Sequence, residues 1–93
     1  MAGKFLRYKR TPEDGDTFVL FEKLIGHDDM LNLLRKTYPK ATVVSAGFWC
    51  VLHTGYFKAY GESVSLKVKS IESDTMMLNY NFETNLLEES NGW

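Results

Sequence analysis

The sequence VVSAGFWCVLHTGYFKAYGES, residues 43–63, contains two apolar runs on either side of the pair Thr54-Gly55. Runs rich in β-branched and aromatic residues that flank a short glycine turn are typical of a β-hairpin. Gly47 and Gly61 lie within or at the end of the two strand patterns. A glycine in such a place indicates a bulge or the close approach of another backbone or a ligand. We therefore expect this hairpin to form the centre of the fold and of any binding site.

Length and composition limit the class of protein. The 93 residues suffice for one domain, which we expect to span residues 1–93, with residues 85–93 as a tail prone to fraying. The formal net charge of −1 provides no general attraction to nucleic acid, so we predict no nucleic-acid binding. No stretch approaches the roughly 18 apolar residues of a membrane span, and the single cysteine does not suit a secreted disulfide scaffold. A cytoplasmic protein without membrane contact is the expectation.

The first half of the chain contains two strand patterns and one helix pattern. Residues 4–10 are rich in aromatic and basic residues and predict an edge strand, because basic side chains discourage edge-to-edge pairing. Residues 17–24 are largely apolar and predict a second strand that forms a hairpin with the first. Residues 27–38 carry acids in the first turn, bases in the last and apolar residues at helical spacing, which predicts a helix.

After the central hairpin, the apolar residues alternate with polar ones in two further segments. Residues 64–69 predict a half-buried strand, and residues 76–82 predict a last strand because period two fits them better than a helical period. A helix capped by Ser70 is the alternative for this last segment. The predicted fold is therefore a single α+β domain with a mostly antiparallel sheet of about five to six strands. One main helix, at about residues 27–38, packs on one face, in the order β-β-α-β-β-β-β.

His27 is the first candidate for chemistry because it opens the predicted helix. The helix dipole disfavours an imidazolium there, whereas the adjacent Asp28 and Asp29 favour one. A histidine so placed can act as a base, a nucleophile or a phosphate partner. The alternative is a surface histidine, or one that substitutes for an N-cap residue, since nothing in the pattern requires catalysis.

The turn at residues 60–63, Tyr-Gly-Glu-Ser, is the second candidate. Gly61 lets successive backbone N–H groups point into one concavity, and such nests bind anions. Glu62 and Ser63 belong to the same turn, and Lys58 and Lys67 would supply positive charge. The alternative is a bulge that passes the chain to the next strand. The histidines, the cysteine and the acids show no metal-ligand spacing, so we expect no metal and no cofactor.

The order of these motifs resembles that of the Janus and phosphohistidine phosphatase family. The similar motifs are HDDM at residues 27–30, SAG at residues 45–47 and YGES at residues 60–63. The resemblance covers residues 4 to about 67. It implies an α+β fold, His27 as nucleophile or general base, and a phosphate cradle at Ser63 and the backbone around Gly61. Phe48 occupies the position of the family's phosphate-binding arginine, so a retained anion pocket is implied more strongly than phosphatase activity.

Two functions from different classes follow from these features. The first is a small, non-catalytic interaction or regulatory protein that binds another protein, or a second copy of itself, through a sheet edge or the acidic C-terminal segment. The second is a phosphate-binding or phospho-ligand-binding protein, or a weak phosphatase-like hydrolase, that uses His27 and residues 60–63. The first is preferred because the chain lacks the paired titratable groups that acid–base catalysis normally uses.

Overall fold

The computed structural model describes residues 1–80 and is an α+β fold. The strands and the first helix, in chain order, are β1 (Ala2–Lys9), β2 (Asp16–Phe21), α1 (His27–Thr37), β3 (Thr42–Val51), β4 (Phe57–Tyr60), β5 (Glu62–Ser63) and β6 (Val68–Lys69). Residues 73–80 are also helical, and this described part of a second helix is called α2 below. The predicted α+β class, the N-terminal hairpin, the first helix and the central hairpin are confirmed. The predicted tail at residues 85–93 lies outside the described residues.

Four strands form one antiparallel sheet in the order β2-β1-β3-β4, and β5 pairs with β6 in a small second sheet. The central hairpin turns where predicted: Gly55 has φ +90°, and Leu52 N donates to Tyr56 O over 2.8 Å. The prediction that residues 4–10 form an edge strand is wrong, because β1 lies between β2 and β3. Phe5 and Leu6 explain the central position, since both are 0% exposed and face the two opposite layers of the core.

Helix α1 covers one face of the sheet. It begins at His27 and ends at Thr37, with acids in its first turn and bases in its last, as the helix dipole favours. Its inward residues Met30 and Leu31 pack with Leu6 and Phe21 in a buried cluster. The β5–β6 hairpin extends the same layer through Leu66 and Val68.

Helix α2 covers the opposite face, and it corrects the prediction of a strand at residues 76–82. Residues 76–80 are helical, and residues 81–82 lie outside the described part. The alternating apolar residues are misleading here, because Leu78 is 4% exposed whereas Met76 and Tyr80 are 69% and 63% exposed. Ser70 does not cap this helix: its Oγ donates to Gly61 O, and the Asp74 carboxylate accepts from Ile71 N over 2.7 Å instead.

The predicted single strand at residues 64–69 is also wrong. Residues 64–67 form a turn between β5 and β6, and Lys67 adopts a positive φ of 56° within it. Ser63 stabilises this turn because its Oγ accepts a hydrogen bond from Leu66 N over 3.2 Å. The alternation of apolar residues therefore reflects one turn and a two-residue strand, not a continuous strand.

A buried ionic cluster connects α2 to the sheet. Arg7 Nη1 donates to Asp74 Oδ1 over 3.0 Å, and Ser45 Oγ donates to the same oxygen over 2.7 Å. Arg7 Nε donates to Asp16 Oδ2 over 2.8 Å. The Lys9 ammonium, followed by the Arg7 guanidinium, lowers the pKa of Asp16 despite the opposing effect of burial. Because Asp74 is 0% exposed, this cluster is a structural connection and not a solvent-accessible site.

Candidate functional site

A cavity of about 580 Å³ lies at the start of α1, and we call it the His27 pocket. Its walls are residues 26–28, residues 60–62, and the single residues Lys4, Phe48, Val64 and Ser65. Helix α1, strands β1 and β3, and the connection from β4 through β5 to the following turn all contribute to it. The pocket therefore forms only when four segments distant in sequence come together.

His27 forms the inner part of this pocket and is 4% exposed, so the alternative of a surface histidine is wrong; the N-cap position is occupied by Gly26. Its ring is edge-on to both Phe21 and Phe48, with centroid separations of 5.5 and 5.9 Å. Nε2 lies 2.9 Å from Gly47 O, and since a carbonyl can only accept, Nε2 must carry the proton. Burial lowers the pKa of His27, although the Gly47 carbonyl partly opposes this shift. The ring is therefore a neutral histidine whose Nε2 is already occupied by the main chain.

Gly47 and Gly61 are needed for close packing. A Cβ on Gly47 would collide with the carbonyl of Tyr60 and lie 3.3 Å from the backbone carbon of Gly61. Gly61 has φ +77°, and a Cβ there would lie 3.0 Å from the Phe48 ring. The two glycines thus let the chain leave β4 across the surface of β3, which brings residues 60–62 next to His27.

The structure brings together only some of the predicted site residues. His27, Gly61 and Glu62 share the pocket. Ser63 does not contribute to its walls, because it is 1% exposed and its Oγ is engaged with Leu66 N and Ser65 Oγ. Lys58 is exposed on β4 and Lys67 is exposed in the turn after β5, and neither belongs to the walls.

Three charged or aromatic residues that shape the pocket were not predicted as site residues: Lys4, Asp28 and Phe48. The Lys4 ammonium donates to Ile25 O over 2.8 Å, and the Tyr60 ring stacks on Phe48 at 5.9 Å and 27°. For Asp28 and Phe48 the available signal was their position next to His27 and Gly47 in the sequence. Lys4 carried no local signal, because only the pairing of β1 with β3 brings it opposite Phe48.

A second candidate surface is found by comparing the two edge strands of the four-stranded sheet, β4 and β2. On β4, Asn79 Oδ1 accepts from Phe57 N over 2.8 Å, and its Nδ2 donates to Phe57 O over 2.9 Å. Thr75 repeats this arrangement with Ala59, accepting from its N–H at 3.0 Å and donating to its C=O at 3.3 Å. Side chains of α2 thus take the place of a neighbouring strand and close the β4 edge.

The β2 edge is different. Successive residues of β1 direct their main-chain hydrogen bonds alternately to β3 and to β2. Val51 N donates to Met1 O over 3.1 Å, so Met1 and alternate residues after it bond to β3. The residues between them, including Lys4 and Leu6, bond to β2. The outward main-chain groups of β2 therefore belong to Phe18 and Leu20, which lie between the bonded positions. Within residues 1–80, no hydrogen bond reaches these outward groups.

An apolar groove of about 330 Å³ adjoins the end of this edge. Its walls are formed by Leu20, Phe21 and Trp49 together with Met1, Ala2 and Glu22. The Trp49 indole N–H lies against Gly3, where a Cβ would be 2.7 Å from Nε1, and it has no hydrogen-bond partner among the described residues. The open edge thus continues into a groove that offers apolar contact.

The described residues contain neither a cluster of metal-ligand side chains nor a helix that could span a membrane. Residues 1–80 contain no group of three or more histidine, cysteine, aspartate or glutamate side chains that could hold a metal ion. The same part of the chain has no helix of sufficient length and apolar character to cross a bilayer. The chain matches no protein-family model, no curated protein and no solved structure.

Proposed function

We propose that this chain is a non-catalytic interaction protein that binds an extended segment of another protein along the outer edge of β2. The observation that supports this proposal is the contrast between the two edges of the sheet. Thr75 and Asn79 close the β4 edge, whereas the outward main-chain groups of Phe18 and Leu20 have no hydrogen-bond partner within residues 1–80. Addition of a strand to an open edge is a recurrent mode of peptide recognition.

The sequence of β2 supports binding at this edge. Native edge strands usually carry lysine, proline or a bulge that discourages pairing with another chain. Residues 17–21, Thr-Phe-Val-Leu-Phe, contain neither a charge nor a proline. Each main-chain hydrogen bond to an added strand would contribute roughly 0.5–1.5 kcal/mol, and the groove beside Leu20 and Trp49 would add apolar contact and sequence preference.

A selection from a displayed library of random 12-residue peptides tests this proposal. Peptides that bind the purified chain are measured against Leu20→Pro, which removes the outward N–H, and against Leu20→Ala, which keeps it. We expect Leu20→Pro to weaken binding at least tenfold and Leu20→Ala to weaken it less. Selected peptides that bind both variants equally, or a selection without binders, would count against the proposal. Unfolding midpoints establish that both variants are folded.

A second copy of the chain could occupy the same edge, which would make the protein a homodimer. Sedimentation equilibrium distinguishes the two occupants. A mass that stays at 10.7 kDa up to high micromolar concentration fits an edge open to another protein. A mass that rises with concentration, and falls back in Leu20→Pro, would assign the edge to self-pairing. A cytoplasmic location remains part of the proposal, based on the single cysteine, and localisation of a fluorescent fusion tests it.

A phosphate-binding or phosphatase-like function, with His27 and residues 60–63 as its site, is the second candidate. One observation favours it: His27 and Gly61 share a pocket. Three features make this function the less favoured of the two. The Ser63 hydroxyl points inward, the His27 ring is neutral, and Asp28 and Glu62 bring carboxylates to the pocket. Saturable shifts of the Gly61 amide and the His27 ring on titration with phosphate would support it, and hydrolysis of a phosphohistidine peptide would extend it to catalysis.

A further inference from the structure

We propose that the His27 pocket binds an organic cation, namely the ammonium or guanidinium group at the end of a side chain such as lysine or arginine. The site is separate from the β2 edge, and the inference does not depend on the function proposed for that edge. It rests on three features of the pocket. The walls contain two carboxylates and a partly exposed aromatic residue, and Lys4 is the one cationic side chain among the described walls.

The carboxylates come from two elements. Asp28 belongs to the first turn of α1 and Glu62 to β5, and both are exposed at the pocket. Neither is engaged in an ion pair within residues 1–80. Lys4 is the one cationic side chain in the described walls, and its ammonium already donates to Ile25 O over 2.8 Å. The formal charge of these walls is therefore −1, with His27 neutral.

The aromatic part of the pocket suits the same ligand. Tyr60 stacks on Phe48 with its ring centroid 5.9 Å away, and the residue is 40% exposed at the pocket. Ammonium and guanidinium groups bind to aromatic rings through the ring quadrupole, and nearby carboxylates add Coulomb attraction to the same cation. Val64 extends the apolar wall, which would contact the methylene groups that carry such a cation.

The same geometry disfavours an anion. The N-terminus of α1 would normally attract one, but the carboxylates of Asp28 and Asp29 already lie beside Gly26 at that end. Lys58 and Lys67 are outside the walls, and Ser63 Oγ is engaged inside the β5–β6 turn. An incoming phosphate would thus meet the carboxylates of Asp28 and Glu62 with only Lys4 to compensate.

Titration with n-butylammonium chloride, followed by amide shifts in nuclear magnetic resonance, tests the inference. Sodium chloride keeps the ionic strength constant, n-butanol serves as the neutral analogue, and sodium phosphate as the anion. We expect saturable shifts at Asp28, Gly61 and Glu62 with n-butylammonium and none with n-butanol or phosphate. Equal shifts with n-butanol would reduce the site to apolar contact, and saturation by phosphate would assign it to an anion; either result overturns the inference.

A pair of double variants provides the matched control. Asp28→Asn with Glu62→Gln should weaken n-butylammonium binding about tenfold, because both carboxylates of the pocket are lost. Glu13→Gln with Glu72→Gln changes the net charge equally, but neither residue belongs to the pocket walls. An equal loss of affinity in the two double variants would show that only the overall charge matters, and would contradict a built site.

Discussion

The Asn79 side chain makes two hydrogen bonds with the main chain of Phe57: Oδ1 accepts from Phe57 N over 2.8 Å, and Nδ2 donates to Phe57 O over 2.9 Å. One primary amide therefore satisfies both outward groups of an edge residue, as the backbone of a neighbouring strand would. Thr75, one turn earlier, does the same for Ala59 with its hydroxyl. A helix that carries these two residues four positions apart can close a sheet edge without any strand pairing.

Replacing Asn79 tests the closure of the β4 edge. Asn79→Leu keeps the branched shape of the side chain but removes its hydrogen bonds to Phe57 N–H and C=O, so we expect a loss of roughly 1–3 kcal/mol in the free energy of unfolding. Chemical denaturation measures this loss, and hydrogen exchange at the Phe57 amide should become faster. Asn32→Leu, on the exposed side of α1, is the matched control, expected to change stability by less than about 0.5 kcal/mol. An unchanged exchange rate at Phe57 would refute the closure.

Substitution of Asp74 tests the contribution of the buried ionic cluster to stability. Asp74→Asn removes the charge that faces Arg7 while retaining the shape of the side chain, and Asp74 is 0% exposed. Removing one partner of a buried ion pair leaves the other charge uncompensated, so we expect a destabilisation of about 3 kcal/mol. The exposed neighbour Glu72→Gln should change the free energy of unfolding by no more than about 0.5 kcal/mol. Similar denaturation midpoints for the two variants would mean that Asp16 alone neutralises Arg7.

The lowered pKa of His27 predicts that the stability of the protein depends on pH. Burial lowers the pKa of His27 in the folded protein below the ordinary 6.5 of the unfolded chain. Below about pH 6.5 the unfolded state therefore binds a proton that the folded state does not, and stability falls. Above that pH the contribution is fully present. The slope is at most about 1.4 kcal/mol per pH unit.

Denaturation curves between pH 8 and pH 5 measure this effect against His27→Gln. The glutamine amide can also donate to Gly47 O, but it does not titrate. The difference in unfolding free energy between the two proteins should shrink as the pH falls below about 6.5. A difference that stays constant over this range would show that protonation of His27 is not linked to folding.

Substitution of Gly47 tests the close packing that shapes the His27 pocket. A Cβ at this position would collide with the Tyr60 carbonyl, a backbone atom that can move only if the β4–β5 connection moves with it. We expect Gly47→Ala to lower the free energy of unfolding by roughly 1–3 kcal/mol and to shift the Gly61 and Glu62 amide resonances. Gly15→Ala is the control, because nothing lies within 4 Å of a Cβ built there. Equal stability of the two variants would argue against the close approach.

The local features of the fold could be predicted from the sequence because they depend on near neighbours. Charges at both ends of α1, the glycine turn at Gly55 and the apolar runs of β1 to β4 all act over a few residues. Helix α2 could not be predicted in this way. Its Asp74 is stabilised by Arg7 and Ser45, which are 67 and 29 positions away, and its spacing of apolar residues imitates a strand.

The candidate sites show the same division between features set by near neighbours and features set by residues distant in sequence. His27 and the turn at Gly61 had local signals, namely a helix start and a glycine at a strand end. That they share one pocket depends on the register of β1, β3 and β4, which no local pattern contains. The open edge was equally hidden, because β1 has the basic residues typical of an edge but is central, while β2 has an uncharged apolar run but is the edge.

Hydrogen exchange at Phe18 and Leu20 tests the central claim, that β2 is an open recognition edge, most directly. In the free protein we expect rapid exchange at these two amides and slow exchange at Val19, whose N–H faces β1. A saturating selected peptide should protect Phe18 and Leu20 at least tenfold, and should leave Phe57 and Ala59 at their initial rates. Protection of both outward β2 amides already present in the free monomer, or peptide-induced protection confined to other strands, would contradict the claim.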